Sequence, residues 1–269
     1  MKKVLLHAAL IAGGLLTLFP LLWMVAASFM SRGEATTYPP HVLPHAPTLA
    51  QYRELFVRLQ IGRAFLSSTT IAVVTTLVSL LFNSMAGYAF AKLRFRGRER
   101  TFGLLLAALV IPAQVGMLPL FLLMKTLGLV NTYWGVIIPS LASVFGIFLI
   151  RQFMLSIPQE LLEAARIDGA GELRIYWSVV MPLARPILAT LAIFTFMASW
   201  NDFMWPLIVL SDQSRYTLPV SLANLLGEHA QDVELMMAGS VVTVLPVLAL
   251  FLFLQRYYIA GLMAGSVKG

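Results

Sequence analysis

Six stretches of this sequence are each long and apolar enough to cross a lipid bilayer, and no other feature limits the fold so strongly. A spanning helix needs about 20 mostly apolar residues. The runs Val4 to Phe29, Leu66 to Ala91, Phe102 to Met124, Trp134 to Ile150, Ile187 to Leu210 and Met236 to Leu254 meet that need. Lipid offers backbone groups no water to bond, so runs of this length must be helical. Charged residues are 12% of the 269 and hydrophobic ones 59%, whereas an ordinary soluble domain carries about 25% charged residues. That balance excludes a soluble enzyme. The expected fold class is all-α: a polytopic membrane protein with six transmembrane helices. The first run follows Lys2 and Lys3 as a signal peptide would, but it exceeds the usual 7–15 residue core of such a peptide, so it reads as an uncleaved span.

The placement of charge orients these spans. With the N-terminus inside, thirteen of the 19 basic residues fall on inside segments and six (Arg32, Arg53, Arg58, Arg63, Lys125 and Arg215) on outside ones. Inner loops carry the excess of Lys and Arg, so both termini are expected in the cytoplasm. The net charge of +7 is then an orientation signal rather than a nucleic-acid footprint. The absence of cysteine excludes disulfides, thiolate metal sites and a cysteine nucleophile. The four histidines His7, His41, His45 and His229 are scattered along the sequence. Outside, the stretch from Ser31 to Gly62 holds Pro39, Pro40, Pro44 and Pro47 and reads as irregular, with a short helix near Gln51 to Leu59. A second outside loop, Ser211 to Glu234, is acidic. Such loops are solvated connectors or docking surfaces for an extracytoplasmic partner.

Five spans contain proline (Pro20, Pro112, Pro139, Pro206 and Pro246), which either shapes packing by kinks or gives a moving bundle its bends. The second span has none. It carries Thr75, Ser79, Asn83, Gly87 and Ala91 at four-residue spacing instead, one continuous helical ridge of small and polar side chains. Such a ridge packs closely on a neighbour or lines a path. Asp202 is the one acid inside a span, beside Trp200 and Asn201. An intramembrane carboxylate suggests function, here a sugar stacked on the ring and bonded to the polar groups; it also fits a partner for another helix, or a cap to the break before Pro206.

The inside segment 151–186 is unusually organised. Ser156 with Gln159 fits a capping box around Pro158, Glu160 and Glu163 lie near the positive helix end, and Gly169 supplies a stop. The spacing predicts a surface helix of about ten residues, then a second near Glu172 to Val180. A helix–glycine–helix corner of this kind offers a knob to a cytosolic partner, or is simply a solvated interfacial helix.

Glu163-Ala164-Ala165, then Gly169, Val179 and Met181-Pro182, resembles the EAA loop of binding-protein-dependent ABC importers, with Val179 and Met181 where the family pattern has Ile and Leu. Asn83 to Phe90, Arg94-Phe95-Arg96-Gly97, Trp200-Asn201-Asp202-Phe203, Tyr216 to Pro219 and the tail Gly261 to Gly269 are similar to carbohydrate-importer permeases of the maltose and glycerol-3-phosphate type. The resemblance implies the type I ABC importer permease fold, divided into a first helix and extracytoplasmic segment (1–61), a permease core (62–256) holding the coupling loop 151–186, and a cytoplasmic tail (257–269). It implies a noncatalytic subunit of the bacterial inner membrane, paired with a second homologous permease and served by an extracytoplasmic sugar-binding protein. A cytoplasmic ATPase dimer would bind ATP and Mg. Glu163 and Asp168 would pair with basic groups on that ATPase, Ala164 and Ala165 would permit close approach, Gly169 and Pro182 would shape the corner, and the tail Gly265 to Gly269 would lie near the ATPase interface. Asn83, Trp200, Asn201 and Asp202 are candidates for the translocation path, carrying a di- or oligosaccharide or, alternatively, a glycerol-3-phosphate-like substrate.

Absences agree with that division of labour. No Gly is followed by Lys, so there is no phosphate-binding Gly-Lys-Ser/Thr loop. Neither a His-Glu-x-x-His motif nor a Gly-x-Ser-x-Gly elbow occurs, which leaves an intramembrane hydrolase without machinery. An ion-coupled secondary transporter would want several intramembrane ionisable groups, and Asp202 alone supports it thinly.

Overall fold

The computed structural model describes residues 2–39, 41–228 and 232–266. Among them the chain is helical, with no strand. The helices in order are α1 (Lys2–Ala27), α2 (Ala50–Arg53), α3 (Ile61–Lys92), α4 (Arg98–Ala108), α5 (Met117–Thr126), α6 (Tyr133–Ile137) and α7 (Val144–Leu155). There follow α8 (Gln159–Ile167), α9 (Glu172–Ile175), α10 (Met181–Leu183), α11 (Arg185–Trp200), α12 (Met204–Val209), α13 (Leu218–Glu228) and α14 (Val233–Ser266). Residues 229–231, inside the acidic outer loop and including His229, and the last residues of the tail, 267–269, lie outside the described residues.

Four helical stretches are long and apolar enough to cross a membrane: Lys3–Ala27, Ile61–Lys92, Tyr133–Leu155 and Val233–Phe253. Two bent pairs meet the same measure together, Arg98–Ala108 with Ala113–Thr126 at 95° and Glu172–Leu183 with Arg185–Trp200 at 80°, which makes six when each pair is one span. The sequence runs are thus recovered with three differences, one being that the fourth is interrupted between α6 and α7 by a 3-10 turn at Ile138–Ser140. The third run is not one straight helix: Pro112 stands extended (ψ 131) between α4 and a short 3-10 turn, because proline removes a donor and disfavours the helical region for the residue before it. The fifth stops at Trp200 rather than Leu210, and α12 resumes after Asn201 to Phe203. Pro20 and Pro246 lie inside continuous helices.

The chain divides into two compact units, one of residues 1–66 with 217–248, the other of residues 67–216 with 249–269. In the first, α1 bares Val4, Leu5, Leu10 and Leu16, as expected where lipid tails rather than protein solvate them. Its end is tied down: Ala27, Met30 and Ala35 pack with Trp23, Val233 and Met237. The buried Glu234 carboxylate accepts the Ala35 N–H at 2.7 Å, and Asp232 pairs with Arg32 at 2.8 Å. Backbone N–H groups of His45 and Ser31 hold the Glu34 carboxyl below its usual range. The irregular outer stretch and the short helix expected near Gln51 are both present, and in that stretch His41 and His45 meet edge to face at 4.2 Å.

In the second unit one apolar cluster joins α3, α7, α8, α9 and α11 through Tyr88, Ala91, Ile150, Met154, Leu162, Ile175 and Leu191. A second gathers Ile71, Met124, Val136, Ile137, Trp205 and Val209. These two clusters bracket the features that matter for function.

Candidate functional site

The corner at 151–186 is built as follows. Ser156 closes α7 by donating its hydroxyl to the Phe153 carbonyl at 2.6 Å, so the expected Ser156–Gln159 capping box is not formed. Pro158 is the residue before α8 and makes no side-chain cap. The reason is steric: Ile157 precedes a proline and cannot stay in a helix easily, so Gln159 becomes the first helical residue rather than the third. Gly169 does end α8, at φ +80. The Ala170 N–H bonds the Ala165 carbonyl and the Gly169 N–H bonds the Arg166 carbonyl, both at 3.0 Å, which is the paired closure a left-handed glycine permits.

The short helix is amphipathic. Leu162 is fully buried and Ala165 packs against the same cluster, while Glu160, Leu161, Glu163, Ala164, Ile167 and Asp168 face outward. Ile167 is 86% exposed on that outward side. Of the residues singled out from sequence, Glu163, Ala164, Asp168, Gly169 and Pro182 are exposed, and Ala165 turns inward.

Three rungs bolt this corner to α3. The hydroxyls of Ser84 and Tyr176 share a hydrogen bond at 2.7 Å. The Tyr88 hydroxyl donates to Glu172 at 2.7 Å, and Lys92 donates to the Ile157 carbonyl at 2.6 Å. Glu172 also receives Arg166 at 2.7 Å, and this bond holds the guanidinium charged beyond its usual range. Ser84, Tyr88 and Lys92 are four residues apart, so they form a second ridge beside the small-residue one. Sequence reading passed over that second ridge, although the spacing that disclosed the first was also its signal.

The first ridge divides into two parts. In its C-terminal part, Gly87 lies so close to α7 that an added Cβ would stand 2.5 Å from the Ile150 Cγ2. Asn83 is fully buried; its Oδ1 accepts the Ser143 N–H at 3.0 Å and its amide donates to Ser79 at 2.6 Å. In its N-terminal part, Thr75 and Ser79 line a cavity of about 480 Å³. Ser140, Ser143, Thr195, Ser199 and Asp202 add polar groups to it, and Phe145 and Phe194 add apolar faces, their rings edge to face at 6.0 Å. The Thr75 hydroxyl is buried without a hydrogen-bond partner.

Of the four path candidates the structure brings only Asp202 into that cavity wall. Asp202 also accepts the Trp205 N–H at 3.3 Å, the cap to the break that its position suggested. Trp200 is fully buried and stacked on Phe196 at 5.7 Å, Asn201 donates to the Met197 carbonyl at 2.9 Å, and Asn83 is a packing link. Trp200 closes α11, and Asn201 and Asp202 stand in the break before α12, so these neighbours in sequence do not share a face. Beyond the cavity, the Asn131 side chain accepts the Ser211 and Asp212 N–H groups at 3.1 Å, which pins the start of the acidic outer loop.

Comparison with known proteins supplies the family. Residues 81–262 match the model of the binding-protein-dependent transport system inner membrane component. The chain is 42% identical over 261 residues to the arabinooligosaccharides transport system permease protein AraQ of Halalkalibacterium halodurans, covering 94% of this chain and 92% of that one. It is 34% identical over 272 residues to the melibiose/raffinose/stachyose import permease protein MelC of Bacillus subtilis, covering 100% and 97%. Among solved structures, a chain of a bacterial ABC transporter involved in the import of the acidic polysaccharide alginate superposes with a TM-score of 0.83 at 27% identity, over 96% of each chain. The chain therefore belongs to the binding-protein-dependent transport system inner membrane components, the noncatalytic permease subunits of ABC importers.

Proposed function

We propose that this chain is a sugar permease subunit, passing a di- or oligosaccharide across the bacterial cytoplasmic membrane by alternating access, with both termini in the cytoplasm. Permeases of this family hold no cofactor of their own and work with an ATPase, a substrate-binding protein and a second permease. In the present reading the second permease is a homologous, non-identical chain, the ATPase is a dimer that binds ATP and Mg, and the binding protein meets Ser211 to Glu234.

The observation that carries this reading is the corner at 151–186. Its outward face shows Glu163, Ala164, Ile167 and Asp168, and its inward face is tied by Ser84, Tyr88 and Lys92 to the helix whose other half lines the cavity. An ATPase seated on Glu163 and Asp168, with Gly169 and Pro182 keeping the corner's shape, moves α3 directly. Residues 75 and 92 on α3 are some 25 Å apart at 1.5 Å per residue, so a push at one end reaches the cavity along one rigid element. The relatives named for arabinooligosaccharides and for melibiose, raffinose and stachyose support a saccharide, and the hydroxyl-lined cavity accords with it.

Uptake into vesicles tests the reading. With the assembled transporter and its binding protein, labelled raffinose or arabinotriose enters only with ATP. Uptake by this chain alone, driven by a proton or sodium gradient, contradicts it, and selective uptake of glycerol 3-phosphate replaces the substrate.

A further inference from the structure

The cavity that Thr75 and Ser79 help to line holds one acidic side chain. Asp202 is a carboxylate, and none of the described residues lining the space is Lys, Arg or His. Its other polar groups are hydroxyls, chiefly Thr75, Ser79, Ser140, Thr195 and Ser199. Hydroxyls donate and accept, which suits a neutral polyol whose own hydroxyls do both. The Thr75 oxygen, on a residue that lines the cavity, is buried with no hydrogen-bond partner among the described residues, and leaving such a group unmade is costly. Phe145 and Phe194 offer the apolar surface that a sugar ring's C–H face needs.

We propose that Asp202 makes this cavity charge-selective, so that it accepts neutral saccharides and turns away anionic ones, uronates and sugar phosphates included. The inference rests on the reading that the cavity lies on the translocation path and adds the class of saccharide it takes. The physical ground is Coulombic. An anion entering a low-dielectric wall meets the Asp202 charge with little screening and finds no cation there to offset it. A phosphate ester carries about −1.5 to −2 at neutral pH and is repelled most. A neutral sugar bears no such penalty, and Asp202 can accept its hydroxyls while holding the Trp205 N–H.

The chain has no cysteine, so single cysteines report the local field without a background from this chain. Ser140→Cys and Ser199→Cys are made one at a time in the full chain, assembled with its transport partners in membrane vesicles. Each is reacted with cationic trimethylammonioethyl methanethiosulfonate and anionic sulfonatoethyl methanethiosulfonate, with rates normalised to a free thiol. The cation is expected to react faster by roughly tenfold or more, and Asp202→Asn, which keeps an acceptor for the Trp205 N–H, brings the two rates within about threefold. Asp202→Glu restores the preference, which separates charge from altered packing. Equal rates in the parent, or a preference that survives Asp202→Asn, overturn the charge selectivity while leaving the path reading intact. If neither cysteine reacts with either reagent, with or without ATP, the cavity is not open to solutes, and the path reading falls together with this inference.

Discussion

The two halves of α3 carry small and polar residues at one four-residue spacing, yet they sit in different surroundings. From Asn83 to Lys92 the helix is held on two ridges: Gly87 is pressed against Ile150 and Arg151, and Ser84, Tyr88 and Lys92 are each hydrogen-bonded into the corner. From Thr75 to Ser79 the same stripe, though buried, borders a cavity, and one hydroxyl has no partner among the described residues. Asn83 stands at the changeover, bonded backward to Ser79 and across to the start of α7. A helix fixed at one end and open at the other suits a lever: the tight end takes up a push without yielding, and the open end presents groups whose bonding can change.

The largest expected effect breaks the tight end. Gly87→Leu places a side chain where even a Cβ meets Ile150 at 2.5 and 2.8 Å and the Arg151 nitrogen at 3.1 Å. Overpacking at such a site costs about 3 kcal/mol or more, so little folded chain should survive purification, as judged by size-exclusion yield and tryptophan-monitored melting. A variant that folds and melts like the parent means the contact with α7 is not tight. Next in size is Asn83→Ala, which strips the half-buried Ser143 N–H of its acceptor at a cost of about 1 kcal/mol or more; the melting midpoint should fall clearly.

A smaller effect sharpens the comparison. Tyr88→Phe removes one rung and leaves Glu172 paired with Arg166 and half-exposed, so stability drops by about 1 kcal/mol. Transport per ATP hydrolysed should fall further than folded yield does; a proportional fall in both makes the rung structural only. The smallest effect belongs to the open end. Thr75→Val replaces an unpartnered hydroxyl by an isosteric methyl, and melting should stay within about 0.5 kcal/mol of the parent, while uptake changes.

Much of this was visible in the residues, for identifiable reasons. Long apolar runs, the EAA-like spacing and the glycine stop at Gly169 are local signals that the chain must obey wherever it packs. The missing parts depended on tertiary partners. The role of Asn83 was undecidable until α7 was placed beside it, and the ridge from Thr75 to Ala91 turned out to pack at one end and line a cavity at the other. Trp200-Asn201-Asp202 looks like one polar site in sequence, but the helix sends Trp200 into the core and ends before Asp202. Thr195 and Ser199, which do line the cavity, carried no signal beyond being small polar residues four apart. The capping box at Ser156 failed for a local reason, the proline two residues on, which could have been read from the sequence alone.

The outward face of α8 is the proposed seat of an ATPase. Glu163 and Asp168 are exposed and their side chains point away from the core, so Glu163→Arg with Asp168→Arg leaves the fold intact and reverses only the charge of that face. The measurement is the amount of ATPase that co-purifies with the chain in mild detergent, set against the retained second permease. ATPase retention should fall by roughly tenfold while the second permease stays bound; undiminished ATPase retention rules out seating on this face.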